Sequence, residues 1–157
     1  MVIFCRVDDR MLHGQVAVTW VNQIAPDAIL IANDEAATNE MSKMAFKMAK
    51  PAGVKLAIKT IKDAGILLND PRTEKTKIFI LVKTVQDALE LVKATGSQIK
   101  KVNIGGVKKK EGSRQVLPNV HMNEKDLKAL RELHSIVSRI ELQMVPGETK
   151  TDVNKIL

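Results

Sequence analysis

Six short apolar runs, separated by stretches of helical spacing, constrain this chain more than any other feature. They are Val2 to Val7, Ala28 to Ala32, Val54 to Ile58, Ile78 to Val82, Val102 to Ile104 and Ile140 to Val145. Most are rich in β-branched residues, and each lies close to a Gly, Pro, Asn or Asp. Strands buried on both faces of a parallel sheet read this way, because neither face keeps a polar alternation. A weaker run, Val116 to Met122, predicts an additional edge strand, although Pro118 interrupts it and cannot donate to a ladder.

Helical patterns fill the intervals. Ala17, Trp20, Val21 and Ile24 follow the i, i+3, i+4, i+7 spacing, as do Met41, Met44, Ala45 and Met48, and again Val85, Ala88, Leu89 and Val92. Leu127, Leu130 and Leu133 mark another helix, and Ile61, Ala64 and Leu68 a shorter one. The spacing of Met41, Met44 and Met48 predicts that they pack in the core. Three starts pair a cap residue with an acid three positions on: Thr60 with Asp63, Thr84 with Asp87, and Asn123 with Asp126. The cap oxygen accepts an orphan backbone N–H, and the acid sits at the positive end of the helix dipole.

Strands alternating with helices specify an α/β fold. Right-handed crossovers place helices on both faces of a mostly parallel sheet, giving three layers. At 157 residues, with no repeat and no Gly- or Ser-rich linker, one domain over residues 1–157 is the economical organisation.

Charge and composition narrow the partners. The net charge is +7 and the pI about 9.6, so an anionic partner is expected. One reading is therefore a basic domain that binds nucleic acid or another polyanion without catalysis. Only 3% of residues are aromatic and none is Tyr, which leaves little from which to build base-stacking platforms. No apolar run approaches the roughly 20 residues of a membrane span. No secretory lead precedes the first strand, and the single Cys5 reads as a small buried strand residue. No Cys/His cluster suggests zinc. A reducing cytoplasm fits these features.

In open α/β sheets ligands bind beyond the carboxyl ends of the strands, so the segments that follow strands matter most. After the first run comes Asp8-Asp9-Arg10-Met11-Leu12-His13-Gly14-Gln15, leading into a helix. After the second comes Asn33-Asp34-Glu35, after the fourth Lys83-Thr84, and after the fifth Gly105-Gly106. His13 stands between a strand end and a helix start, where free N–H groups suit a phosphate. Arg10 adds a planar donor fork, and Gly14 lets backbone approach a ligand closely. Asp8 or Asp9 could hold the second ring nitrogen and set the tautomer. Spacing alone makes this a candidate phosphate site with a nucleophilic histidine; the alternative is a histidine that caps a helix or bonds a turn. His121 and His134 read as structural. Neither Gly-x-Gly-x-x-Gly nor Gly-x-x-x-x-Gly-Lys occurs, so no motif supports a nucleotide-binding enzyme. Residues 100–114 carry six basic side chains against Glu111, either a solvated loop or a docking patch.

The loop Asp8-Asp9-Arg10-Met11-Leu12-His13-Gly14-Gln15-Val16 resembles that of the IIB components of the mannose/fructose/sorbose class of the bacterial phosphotransferase system. Further matching stretches follow in the family's order: Asn33-Asp34-Glu35-Ala36-Ala37, Pro51-Ala52-Gly53-Val54, Leu81-Val82-Lys83, Val102-Asn103-Ile104-Gly105-Gly106, and the region from Leu127 to Leu157. The resemblance implies a phosphocarrier in sugar transport, a protein-Nπ-phosphohistidine–sugar phosphotransferase component. Such proteins accept a phosphoryl group from enzyme IIA on their own histidine, here His13, through the ring nitrogen nearer the backbone. They pass it to a sugar (a hexose, ketohexose, hexitol or amino sugar such as N-acetylgalactosamine) entering through the membrane subunits IIC and IID. Arg10 would stabilise the phosphate. Asp9, Gly14, Gln15, Asp34, Lys83, Gly105 and Gly106 would line the phosphate and substrate site. The resemblance implies no metal, no cofactor and no nucleic acid, and a cytoplasmic protein peripheral to the membrane transporter.

Two departures from the family pattern stand out. Many members carry an Arg in the second helix on the site side, where this chain has Ser42 followed by Lys43. Many carry an aromatic and an Arg after the double glycine, where this chain has Val107-Lys108-Lys109-Lys110. Lysine replaces the charge but not a bidentate fork.

Overall fold

The computed structural model describes residues 1–157, and its architecture follows from the alternation of strand and helix. The strands of the main sheet are β1 (Val2–Val7), β2 (Ala28–Ala32), β3 (Lys55–Lys59), β4 (Ile78–Val82), β5 (Lys101–Ile104), β8 (Arg139–Leu142) and β9 (Thr151–Asp152). They lie in the order β3-β2-β4-β1-β5-β8-β9, with every pair parallel except β8 with β9. The helices are α1 (Gly14–Ile24), α2 (Asp34–Thr38), α3 (Glu40–Ala49), α4 (Ile61–Asn69), α5 (Val85–Thr95) and α6 (Glu124–Ile136).

Strand alternation splits the core into two layers, one on each face. Ile29, Ile31, Phe79 and Leu81 pack with Ala17, Trp20 and Val21 of α1 and Phe46 of α3. Their neighbours Leu30, Ile78, Ile80 and Val82 face α4, α5 and α6 through Ala64, Leu91, Leu127 and Leu130. The three-layer expectation therefore holds, as do all three cap pairs. Thr60, Thr84 and Asn123 accept from the N–H groups of Asp63, Asp87 and Asp126, and only the last completes a reciprocal capping box. Cys5 is fully buried, and burial pushes its thiol up to about 12, so it is an inert core residue. His134 bonds Asn154 at 3.1 Å from the last turn of α6, and His121 lies in a strand, its N–H donating to the Val107 carbonyl.

Three expectations change. Val116 to Met122 is no edge strand of the main sheet. It is a hairpin of β6 (Arg114–Leu117) and β7 (Val120–Met122), turning at Pro118-Asn119, which supplies a bend where a straight strand was expected. The last parallel strand ends at Leu142 rather than Val145, because the carbonyls of Gln143 and Met144 are taken by a buried arginine. The methionine stripe of α3 faces solvent: Met41, Met44 and Met48 are 84%, 65% and 82% exposed. The helix instead buries Phe46, with Ser42 and Ala49 partly covered on the same side. A helix at the margin of a sheet is covered on one side only, and the aromatic ring has the larger area to bury.

This topology places the loop after β1 at a switch point. Strand β1 lies between β4 and β5; α1, which follows it, packs on one face, while α5 and α6 pack on the other. A crevice opens at the carboxyl ends of such strands.

Candidate functional site

The loop between β1 and α1 is tied down at both ends. The Asp8 and Asp9 amides donate to the carbonyls of Val82 and Gly106, extending the ladders to β4 and β5. Met11 then turns the chain through a left-handed conformation, φ 54°, and its N–H donates to the Asp8 carbonyl. That conformation costs about 1–2 kcal/mol for a residue with a side chain. It is held because Met11 and Leu12 are buried in the core layer that contains Trp20 and Phe46. With these two anchored inward, Arg10 is left exposed and His13 partly exposed.

His13 occupies the N-cap position of α1 with extended backbone, φ −146°, and makes no side-chain cap bond. The five later α-helices are capped by the side chains of Asn33, Asn39, Thr60, Thr84 and Asn123. The first turn of α1 therefore keeps its free N–H groups and carries no acidic residue. The histidine ring is not symmetric in its surroundings. Nε2 is buried and lacks a hydrogen-bond partner, with Asp8 Oδ1 at 3.9 Å. Nδ1, the nitrogen nearer the backbone, also has no partner but is not among the buried atoms, so it is the nitrogen left open on this partly exposed ring. Burial pushes the His13 pKa below 6.5; Arg10 and Arg6 push the same way, against Asp8 and Asp9. The ring is thus neutral at pH 7.

Beneath the loop lies a residue that sequence reading passes over. Arg6 is 1% exposed although fully charged residues are rarely buried. Its guanidinium donates to the Asn103 amide oxygen, to the carbonyls of Gln143 and Met144 at 2.8 Å each, and to Asp8 at 3.2 Å. It also stacks over the Trp20 ring, 4.7 Å from the centroid. Asp8, itself buried, accepts the Arg10 amide at 3.1 Å. The one signal available in the sequence was a cation in the middle of an apolar strand.

The other expected site residues divide. Asp9 fastens the loop: its Oδ2 accepts the Lys108 amide at 2.9 Å. Gly14 opens α1 at φ 40°, a conformation that favours glycine, and Gln15 is exposed beside it. Gly105 lies directly under Arg6, where a Cβ would collide with the guanidinium. Gly106 faces the carboxylates of Asp8 and Asp9. Asp34 and Lys83 have other partners: Asp34 accepts the Ile61 amide at the start of α4, and Lys83 pairs with Glu35 at 3.8 Å. Lys43 pairs with Glu40 at 3.5 Å on α3. In the basic segment Lys108 and Lys109 are exposed, whereas Lys110 is consumed by Asp126 at 2.6 Å.

An α/β sheet with an uncapped helix start, a neutral histidine and a flanking arginine at its switch point has the parts from which a phosphate site is built. The chain belongs to the family of PTS system sorbose subfamily IIB components, whose model matches residues 2–157. It is a sugar-specific IIB component of the sorbose/mannose class. A probable phosphotransferase enzyme IIB component of Streptococcus pyogenes serotype M6 is 36% identical over 100% of this chain and 99% of its own. The mannose-specific EIIAB component of Escherichia coli strain K12 is 30% identical over 96% of this chain, which spans 46% of that longer protein. Among solved structures, the IIBSor domain of the sorbose permease of Klebsiella pneumoniae superposes with a TM-score of 0.94 at 28% identity, covering 99% of this chain and 94% of that one.

Proposed function

We propose that this protein accepts a phosphoryl group on Nδ1 of His13 from the phosphohistidine of a IIA partner and passes it to a sugar held by membrane subunits IIC and IID. The observation that carries the reading is the asymmetry of the ring: Nε2 is buried toward Asp8, and Nδ1 opens to solvent at the uncapped start of α1. The Nδ1 lone pair attacks phosphorus, the P–N bond to the donor imidazole breaks, and the donor ring leaves with that electron pair. The loose transition state spreads charge over three equatorial oxygens. In this reading the free N–H groups of Gly14, Gln15 and Val16 and the Arg10 fork receive it. The Nε2 proton stays on the ring beside Asp8, so the phosphorylated imidazole keeps a partner for its cationic character. A sugar hydroxyl oxygen then attacks the same phosphorus, the P–Nδ1 bond breaks with its electron pair returning to the ring, and the hydroxyl proton leaves to solvent, which regenerates the neutral ring. That one relative carries IIA and IIB in a single chain supports IIA as donor.

Lys83 and Asp34 enter this reading as residues of the same sheet edge, at the ends of β4 and β2, with Glu35 and the Ile61 amide as their partners. The test is incubation with phosphoenolpyruvate, the two general phosphotransferase proteins and a matching IIA, read by intact mass. One phosphoryl group is expected, labile to mild acid and stable to alkali as a phosphoramidate is. Equal labelling of His13→Gln would overturn the assignment.

A further inference from the structure

The site contains a buried cation, Arg6, that the transfer chemistry above does not use. Arg6 sits inside the sheet layer, bound on every side, and its guanidinium passes over the backbone of Gly105. We propose that Arg6, seated on Gly105, is a positioning residue for His13: by holding Asp8 in place it keeps the ring proton on Nε2 and the Nδ1 lone pair free for the phosphoryl group. The proposal rests on His13 being the acceptor.

The argument is geometric. Asp8 has two oxygens with separate duties. Oδ2 receives Arg6 Nη2 at 3.2 Å, while Oδ1 receives the Arg10 amide at 3.1 Å and faces His13 Nε2 at 3.9 Å. A carboxylate oxygen opposite a bare ring nitrogen would set lone pair against lone pair. Opposite an N–H it is attractive, so Asp8 selects the Nε2–H tautomer. Free to rotate, Asp8 could turn either oxygen elsewhere; the fork of Arg6 prevents this because Asn103, Gln143, Met144 and Trp20 fix the guanidinium in turn.

Arg6 also balances charge. Without a buried cation beside it, Asp8 would favour a protonated imidazolium, which has no lone pair to offer. The charged groups facing the ring are Asp8 and Asp9 after β1, Arg10 in the same loop and Arg6 from β1. The first turn of α1 brings none, and the segment after β5 brings glycine backbone and the Lys108 amide that holds Asp9. The first of the two glycines acquires a reason here: a side chain at 105 would displace the guanidinium, whereas one at 106 would make ordinary contact with the two carboxylates, 3.4 and 3.5 Å away.

Long-range nitrogen–proton NMR on the uniformly labelled full chain reads the tautomer of His13 directly. The wild-type ring is expected as Nε2–H at pH 7. Gly105→Ala removes no polar group yet displaces Arg6, and Arg6→Lys keeps the charge without the fork. Both are expected to give a mixture of tautomers. Both should also lower the rate of phosphoryl acceptance at saturating phospho-IIA at least fivefold, with the KM for phospho-IIA within twofold of wild type. A wild-type ring protonated at Nδ1 would sink the proposal without any variant. So would a folded variant that retains the wild-type tautomer and rate. Should both variants fail to fold, the wild-type tautomer alone decides. A wild-type protein that takes no phosphoryl group would remove the phosphocarrier reading, whereas the tautomer spectra would still test the hold of Arg6 on the ring.

Discussion

Single side chains at this site act through which of their atoms is hidden. His13 shows solvent one nitrogen and the protein interior the other, and burial rather than any one charge sets its proton affinity. With its pKa below 6.5, the folded ring stays neutral to lower pH than the unfolded one. The acid limb of phosphoryl acceptance is therefore expected below pH 6.5, read as initial rates at saturating phospho-IIA and matched to an NMR titration of His13. The same shift has a stability sign. As pH falls through the ordinary histidine range the unfolded chain binds the proton first, so this group costs stability as pH drops and none well above it. Arg10 is exposed and only its backbone is bonded, to Asp8. Arg10→Lys should therefore leave the melting temperature within about a degree of wild type, yet slow acceptance by about tenfold, or 1.4 kcal/mol, for the lost half of a bidentate contact. Unchanged transfer kinetics would remove Arg10 from the mechanism.

Helices in this protein are defined as much by their ends as by their stripes. Five starts are capped by Asn or Thr, and the one that lacks a side-chain cap is the one that meets His13. The start of α6 is reinforced from outside. Burial raises the Asp126 carboxyl, but bonds from Lys110, Gln86 and the Asn123 amide outweigh it and leave the group below its ordinary value. Its contribution is present above the carboxylate range and lost as pH falls through it. Helix α3 shows the limit of stripe reading. Because Met41, Met44 and Met48 face water, replacing each by Gln is expected to change stability by no more than about 0.5 kcal/mol. Buried methionines would cost about 2–5 kcal/mol each on truncation. Urea unfolding of the three single variants measures the difference.

Across the whole molecule, charge and topology meet at one edge of the sheet. The loop after β1 and the segment after β5 are joined there by Asp9, which bonds both Gly106 and Lys108. The exposed ammonium groups of Lys108 and Lys109 rim the same edge, on a chain of net charge +7. A partner carrying a phosphohistidine brings about −1.5 to −2 extra charge, and complementary charge acts mainly on association rate. Reversing Lys108 and Lys109 to Glu should slow transfer from phospho-IIA at low salt, with the defect shrinking as salt screens it. Rates at saturating IIA should change less. Lys110 is left out because its pairing with Asp126 ties it to α6, so its reversal would confuse docking with folding. Stopped-flow transfer at two ionic strengths reads the effect; wild-type behaviour at both would mean a merely solvated loop. No helix is long and apolar enough to cross a membrane.

What could be read from the chain alone were the properties that depend on neighbours in sequence. Strand runs, helix stripes and cap pairs repeat over two to four residues, and they placed the loop of Asp8 to Gln15 at the carboxyl edge of a parallel sheet. The loop's wording then pointed to the family and to His13. What distant contacts decide could not be read. A stripe shows that α3 has an apolar face, but only the sheet beneath determines that Phe46 is buried and the methionines are not. Pro118 marks a break, but the pairing of Leu117 with Val120 makes it a hairpin turn. Arg6 looks like an anomaly in its strand until Asn103 and Gln143, 97 and 137 positions away, supply its acceptors. Gly105 looks like one half of a double glycine after a strand until the guanidinium occupies the space of its missing Cβ. The reason is the same in each case: local spacing sets backbone form, whereas burial and the pairing of a buried charge depend on atoms that only folding brings together.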